Sequence, residues 1–168
     1  MSVIVTFGEI MGRLCPPGFN RFRQNMPGNL NFTFAGAEAN VAASLSMLGK
    51  DTRFVTALPK NDISKACIST LEALGIDTSG ILFTDSGRLG LYYVETGANQ
   101  RPSRVIYDRD YSAVSRTSAS DYNWEKILDG ASWFHTTGIT PSLSKESADA
   151  TLEAVIWAKK SDLMVSFD

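Results

Sequence analysis

The sequence predicts an α/β fold, a parallel sheet with right-handed crossovers and a small β-rich flap set outside it. Three observations lead there. Short β-branched and aromatic runs alternate with helical periodicities along most of the chain, as in strand–helix–strand units. Residues 81–107 break that rhythm with β-rich runs and polar turns but no amphipathic helix. The chain has 168 residues, 43% apolar and 20% charged, which suits one domain with a hydrophobic core.

Val3 to Phe7 is a run that ends at Gly8 and reads as a buried parallel strand. Gly12, Pro16, Pro17 and Gly18 punctuate a loop or irregular excursion. Leu30 to Phe34 alternates, with Leu30, Phe32 and Phe34 on one face, so it reads as a half-exposed strand. A helix follows from about Glu38 to Leu48, with Val41, Leu45 and Leu48 as its apolar positions and Gly49 as its stop. Arg53 to Leu58 is the next strand. Asp62 is placed to cap a second helix whose apolar face carries Ile63, Cys67, Leu71 and Leu74, and Gly75 ends it.

Ile81–Phe83, Gly90–Val94 and Val105–Tyr107 read as antiparallel strands of the flap. Helical texture returns at Trp124 to Leu128. Trp133 to Thr137 is a strand with the exit loop Gly138-Ile139-Thr140-Pro141. Ser144 is placed to cap a helix with Ala148, Leu152, Val155 and Ile156 inward, and Leu163 to Phe167 is a further strand. The chain stops at Asp168, one residue past that apolar run. In an open α/β sheet, ligands sit just beyond the carboxyl ends of strands, so an acid there is poised for function. A buried strand with nothing packed beyond it also leaves apolar surface open, so the expectation is an N-terminal piece of a longer protein.

The formal net charge is −2, which gives no global electrostatic reason to bind nucleic acid or an anionic membrane. No apolar run approaches the ~20 residues that span a bilayer. The opening residues carry neither a basic region nor a small-residue cleavage site and do not read as a signal peptide. Cys15 and Cys67 lie far apart, outside any metal-ligand spacing, and read as buried free thiols of a reducing, cytoplasmic compartment. His135 is the only histidine, too few for a zinc site by itself, and no G-x-S-x-G elbow is present.

Three segments carry candidate chemistry. Gly36-Ala37-Glu38-Ala39-Asn40 joins a strand to a helix N-terminus, where small residues admit a ligand to free N–H groups or serve only tight packing. Glu9 follows the first strand at its carboxyl end, placed to hold a sugar hydroxyl or an amide, or to sit as a solvated or salt-bridged surface acid. In Arg101–Arg109, Tyr107 and Arg109 fall on one face of an extended strand. A phenol and a guanidinium there make a clamp for a hydroxylated anion, and Tyr92 on a neighbouring strand could join them. The same arginines would equally protect an edge strand by charge. The motifs G-x-x-x-x-G-K-[ST] and G-x-G-x-x-G are missing, and no Gly-Asp dipeptide occurs.

Four segments together resemble the ribokinase-like (PfkB) carbohydrate kinases, and within them the 2-keto-3-deoxygluconate kinase subgroup. They are Thr6–Met11, Gly36–Ala42, Gln100–Arg109 and Trp133–Pro141, in order along the whole chain. The resemblance implies a doubly wound, mostly parallel sheet with a small β-stranded lid, drawn here from about 13–34 and 89–109, through which the protein dimerises. Residues 1–168 would be the sugar-binding part, with the C-terminal half missing. ATP and Mg²⁺ would serve the full-length enzyme, and this piece would bind neither well. Sugar contacts would fall on Gly36, Tyr92, Tyr107 and Arg109, with Arg109 holding the carboxylate of a sugar acid. Glu9 and Asn40 would be secondary contacts. Asp168 would open an Asp-x-Asn-x-Arg segment. The catalytic Asp of the family, in a Gly-Ala-Gly-Asp segment, is not in this chain, so the chain alone should be inactive. Two departures stand out: Ala35 replaces the first of a glycine pair, and Pro59 stands where a later glycine is usual. A fructose- or ribose-type kinase and a non-catalytic sugar-binding module are the alternatives.

Overall fold

The computed structural model describes residues 2–168; Met1, the first residue of the opening segment, lies outside them. In chain order the elements are β1 (Val3–Phe7), β2 (Met11–Cys15), the single turn α1 (Phe22–Asn25), β3 (Asn31–Ala35), α2 (Ala37–Met47) and β4 (Thr52–Pro59). Next come α3 (Asp62–Ala73), β5 (Ile76–Asp77), β6 (Ile81–Thr84), β7 (Leu91–Glu95) and β8 (Arg104–Asp108). The single turns α4 (Ala113–Arg116) and α5 (Trp124–Ile127) follow, then β9 (Ala131–Thr136), α6 (Lys145–Lys160) and β10 (Met164–Phe167).

The central sheet has six parallel strands in the order β10-β9-β1-β4-β5, with β6 also on β4. Alternate residues of these strands face opposite layers, as the period of two requires. Val5, Phe7, Val55 and Phe134 pack on Val114, Trp124, Ala150 and Ala154 of the α4–α6 side. Phe54 and Leu58 pack on Ala39, Ala42, Cys67 and Leu71 of α2 and α3. A second, mixed sheet of four strands runs β3-β2-β7-β8, antiparallel except for the β2–β7 pair. Among the described residues no helix is long and apolar enough to cross a membrane.

Gly49 and Gly75 end α2 and α3 at φ 78° and 79°, the left-handed conformation that glycine adopts without a steric penalty. Ser144 caps α6 through the Ser147 N–H. Cys15 and Cys67 are buried and free.

Several sequence expectations need correction. The stretch around Gly12 is not a loop but β2. Gly12 lies flat between Phe32 and Leu91, where an added Cβ would come within 2.5 Å of the Phe32 ring. Ile81–Phe83 does not belong to the flap. It extends the central sheet along the far half of β4, and Gly80 lets it approach, since a Cβ there would meet Val55 at 2.9 Å. The cap of α3 is Asn61, whose side chain accepts from the Ser64 N–H, and Asp62 is the first helical residue. The helices also turn different faces inward. α2 buries Glu38, Ala39 and Ala42 while Leu48 is exposed. α3 buries Ser64, Cys67 and Leu71 and leaves Ile63 and Leu74 out. α6 buries Ser147, Ala150, Thr151, Ala154 and Ala158 and leaves Leu152 and Ile156 out. Small residues let a helix axis approach the sheet closely, and interior packing rewards the fit more than the size of the side chain.

Candidate sugar site

Four connections pass between the two sheets: Gly8–Ile10 after β1, Gly36 before α2, the segment before β7, and the segment after β8. A cavity of about 220 Å³ lies where they converge. Its wall includes Glu9, Gly36, Asn40, Tyr92, Tyr107 and Arg109. Six of the seven sequence-selected residues therefore come together, although they span 100 positions. Asp168 is not among them. It is exposed, and its backbone pairs with β9, donating to the Thr136 carbonyl and accepting from Gly138 N–H at 2.8 Å.

Close backbone approach explains the glycines. Gly36 has φ −165°, which any residue can adopt. Yet an added Cβ would sit 2.1 Å from the Glu9 carbonyl oxygen. At Gly8 the obstacle would be the Glu38 carboxyl, also at 2.1 Å. Gly90 was missed from sequence. A Cβ there would lie 2.7 Å from Glu9 Oε1 and 3.4 Å from Arg109 Cβ, so this glycine leaves space for that pair.

Tyr92 and Tyr107 are directly opposed across β7 and β8, with ring centroids 6.1 Å apart. The Arg109 guanidinium lies over the Tyr107 ring at 5.6 Å, within cation–π range. Arg109 Nη2 also donates to Glu9 Oε2, forming an ion pair whose side chains are 19% and 3% exposed. Burial pushes the Glu9 carboxyl above its ordinary value. The Ser112 hydroxyl and Arg109 pull it back, and the negative charge of Glu38 adds to the rise. Burial likewise raises the Tyr92 phenol, with Arg13 acting against it.

Glu38 is the feature the sequence disguised. It is only 1% exposed, and its Oε1 accepts from Thr137 Oγ1 at 2.7 Å and Thr140 Oγ1 at 2.8 Å. It thereby fastens the loop after β9 to the first turn of α2, beside Gly8. Among the described residues no three His, Cys, Asp or Glu side chains come together as metal ligands. The buried carboxylates here are engaged by an arginine and two threonines, a set that does not fit a bound magnesium ion.

The model of the pfkB family carbohydrate kinases matches residues 1–168. This chain belongs to that family. It is 36% identical over 165 residues to a 2-dehydro-3-deoxygalactonokinase of Haloferax volcanii, covering 98% of this chain and 51% of the relative. The crystal structure of a 2-dehydro-3-deoxygluconokinase from Thermotoga maritima superposes with a TM-score of 0.95 at 46% identity, covering 100% of this chain and 51% of that one. An E. coli ribokinase-type protein solved with ATP and Mg²⁺ gives a TM-score of 0.87 at 25% identity, covering 100% and 53%. The pfkB chain described here thus spans about half the length of the curated relatives it matches. Its mostly parallel sheet and small mixed sheet are the ribokinase-like fold.

Proposed function

We propose that the chain is the sugar-binding half of an ATP-dependent carbohydrate kinase of the cytoplasm. Its substrates are 2-keto-3-deoxy sugar acids, and 2-keto-3-deoxygluconate is phosphorylated at a terminal hydroxyl. One observation carries the reading: a largely buried guanidinium, Arg109, shares a single cavity wall with two phenols, a helix N-terminus and Asn40. Arg109 holds the carboxylate, because a guanidinium's planar donors match its two oxygens. Tyr92 and Tyr107 flank the carbon chain and donate to its hydroxyls. Gly36 opens the α2 N-terminus to ligand oxygens, and Glu9 and Asn40 supply further polar contacts. Asp168 lies outside this wall and belongs to the segment that a full-length relative continues.

The small sheet is the lid. Its outer face carries an apolar row across all four strands, Phe32, Leu14, Tyr93 and Ile106, which suits the contact of a homodimer. No catalytic base or nucleotide-binding residue is assigned to this chain. Phosphoryl transfer needs both in place, so the chain alone does not turn over.

Calorimetric titration with 2-keto-3-deoxygluconate and with fructose tests the reading. The sugar acid is expected to bind more tightly. Tighter binding of fructose would move the assignment to a neutral-sugar kinase. A coupled assay of ADP release with ATP, Mg²⁺ and sugar acid should stay at background, and turnover at ordinary kinase rates would overturn the half-enzyme assignment.

A further inference from the structure

The Glu9–Arg109 pair does something that ligand contact alone does not require. Glu9 follows β1 of the central sheet, and Arg109 follows β8 of the small sheet. Their ion pair spans 100 residues and ties the root of the small sheet to the core beneath it. It is also incompletely used. Glu9 Oε1 and Arg109 Nε are buried and have no hydrogen-bond partner. Ser112 Oγ is buried close to the Glu9 carboxyl, and its hydroxyl stabilises the charge there. Buried polar atoms in native proteins are nearly always satisfied, and with Ser112 serving Glu9 the pair is held from both sides of the junction between the sheets. The second buried carboxylate nearby, Glu38, is already held by Thr137 and Thr140.

We infer that Glu9 is the positioning residue of the sugar site: one oxygen fixes the Nη2 edge of Arg109, and the buried pair sets the direction in which the guanidinium presents its remaining donors to a ligand carboxylate. This rests on the sugar-acid reading of the cavity and deepens it. The ligand is recognised by its carboxylate, through the guanidinium that Glu9 holds in place. Gly90 is part of the device, since a side chain there would occupy the place of Glu9 Oε1. The arrangement also makes an unusual electrostatic demand. A carboxylate beside an anionic ligand would repel it if proximity were its only effect. As a positioning group it must instead help, because an unanchored guanidinium on a small-sheet strand loses its aim.

Glu9→Gln separates these effects in the 168-residue chain. Titration of wild type, Glu9→Gln and Arg109→Lys with 2-keto-3-deoxygluconate and with fructose supplies the first reading. Glu9→Gln should weaken the sugar acid about tenfold or more, the scale of a hydrogen bond to a charged group, and fructose much less. Equal or tighter binding of the acid by Glu9→Gln would overturn the inference, and so would equal losses for both ligands, which mark a merely structural pair. Hydrogen exchange without ligand supplies the second. Amides of β8 should exchange faster in Glu9→Gln and Arg109→Lys than in wild type, while those of β4 do not change. Unchanged β8 exchange would overturn the positioning role. Should wild type bind neither ligand, the sugar-acid reading and the ligand contacts fall together, and β8 exchange still decides whether Glu9 anchors Arg109.

Discussion

Thr140 donates its hydroxyl to Glu38 at 2.8 Å, joining residues 102 positions apart in a region that excludes water. This bond and its twin from Thr137 turn a buried carboxylate into a fastener between the loop after β9 and the N-terminus of α2. Thr140→Val keeps the shape and removes one donor. Urea unfolding should show a loss of about 1–3 kcal/mol, the cost of leaving a buried acceptor short of a partner. A Thr140→Val, Glu38→Gln double-mutant cycle should show non-additive losses, and strict additivity would mean that the two groups do not act together.

Arg109→Ala should cost a carboxylate ligand about 1.5–3 kcal/mol of binding free energy, and a neutral sugar much less. Calorimetry with 2-keto-3-deoxygluconate and fructose reads both. Equal losses would remove Arg109 from the role of acid clamp.

Gly36→Ala tests close approach rather than backbone freedom. The added methyl would meet the Glu9 carbonyl at 2.1 Å, and neither side is a movable side-chain tip. The melting temperature should fall with a loss on the order of 1–3 kcal/mol, as for overpacking elsewhere. Sugar-acid affinity should fall with it, since the carbonyl that must shift belongs to a cavity residue. Unaltered stability would show that the β3–α2 junction is looser than described here.

Glu9 carries a pH signature with a definite sign. Burial raises its carboxyl, against the pull of Ser112 and Arg109 and with the help of Glu38. The folded state therefore holds the proton more tightly than the unfolded chain. That contribution to stability is fully present below the ordinary value of 4.5 and is lost as pH rises through the raised folded value. Relative to Glu9→Gln, the wild type should lose unfolding free energy as pH rises above the ordinary value of 4.5. A flat or opposite difference would contradict the shift.

Cys67 sits fully buried in α3, and burial pushes its thiol up to about 12. It should resist a thiol reagent in the native protein at pH 8 and react at once in denaturant. Rapid native labelling of Cys67, identified by peptide mass, would show that α3 opens readily.

Much of the architecture was legible because strands announce themselves by composition and helices by their stops. Val3–Phe7 needed only its β-branched run, and Gly49 and Gly75 marked two helix ends by the left-handed backbone they adopt. Tyr107 and Arg109 were readable as a pair because a strand repeats every two residues. What stayed hidden has a common physical cause. β2 is built around Gly12, whose role is to make room for Phe32, and a glycine read without its neighbours looks like a turn. The helix faces were misread because Leu48, Leu152 and Ile156 are large and Ala42, Ala150 and Ala154 are small. Periodicity weighs hydrophobicity, whereas the interior selects shape. Glu38 matters through Thr137 and Thr140, 99 and 102 positions away, and Gly90 through the distant Glu9, and a local window does not contain them.

The small sheet joins the core only at one end. β2 and β7 begin there, and β3 and β8 finish there, while the turns beyond Cys15 and Glu95 project away. It is a cantilever with its root at the cavity lined by Glu9, Gly36 and Arg109. A five-residue strand is about 17 Å long, so a slight tilt at the root becomes a much larger sweep at the tip. The cavity lies at the short arm of that lever. The long arm is where such a tilt is magnified, and it needs no change in the pairing of the strands.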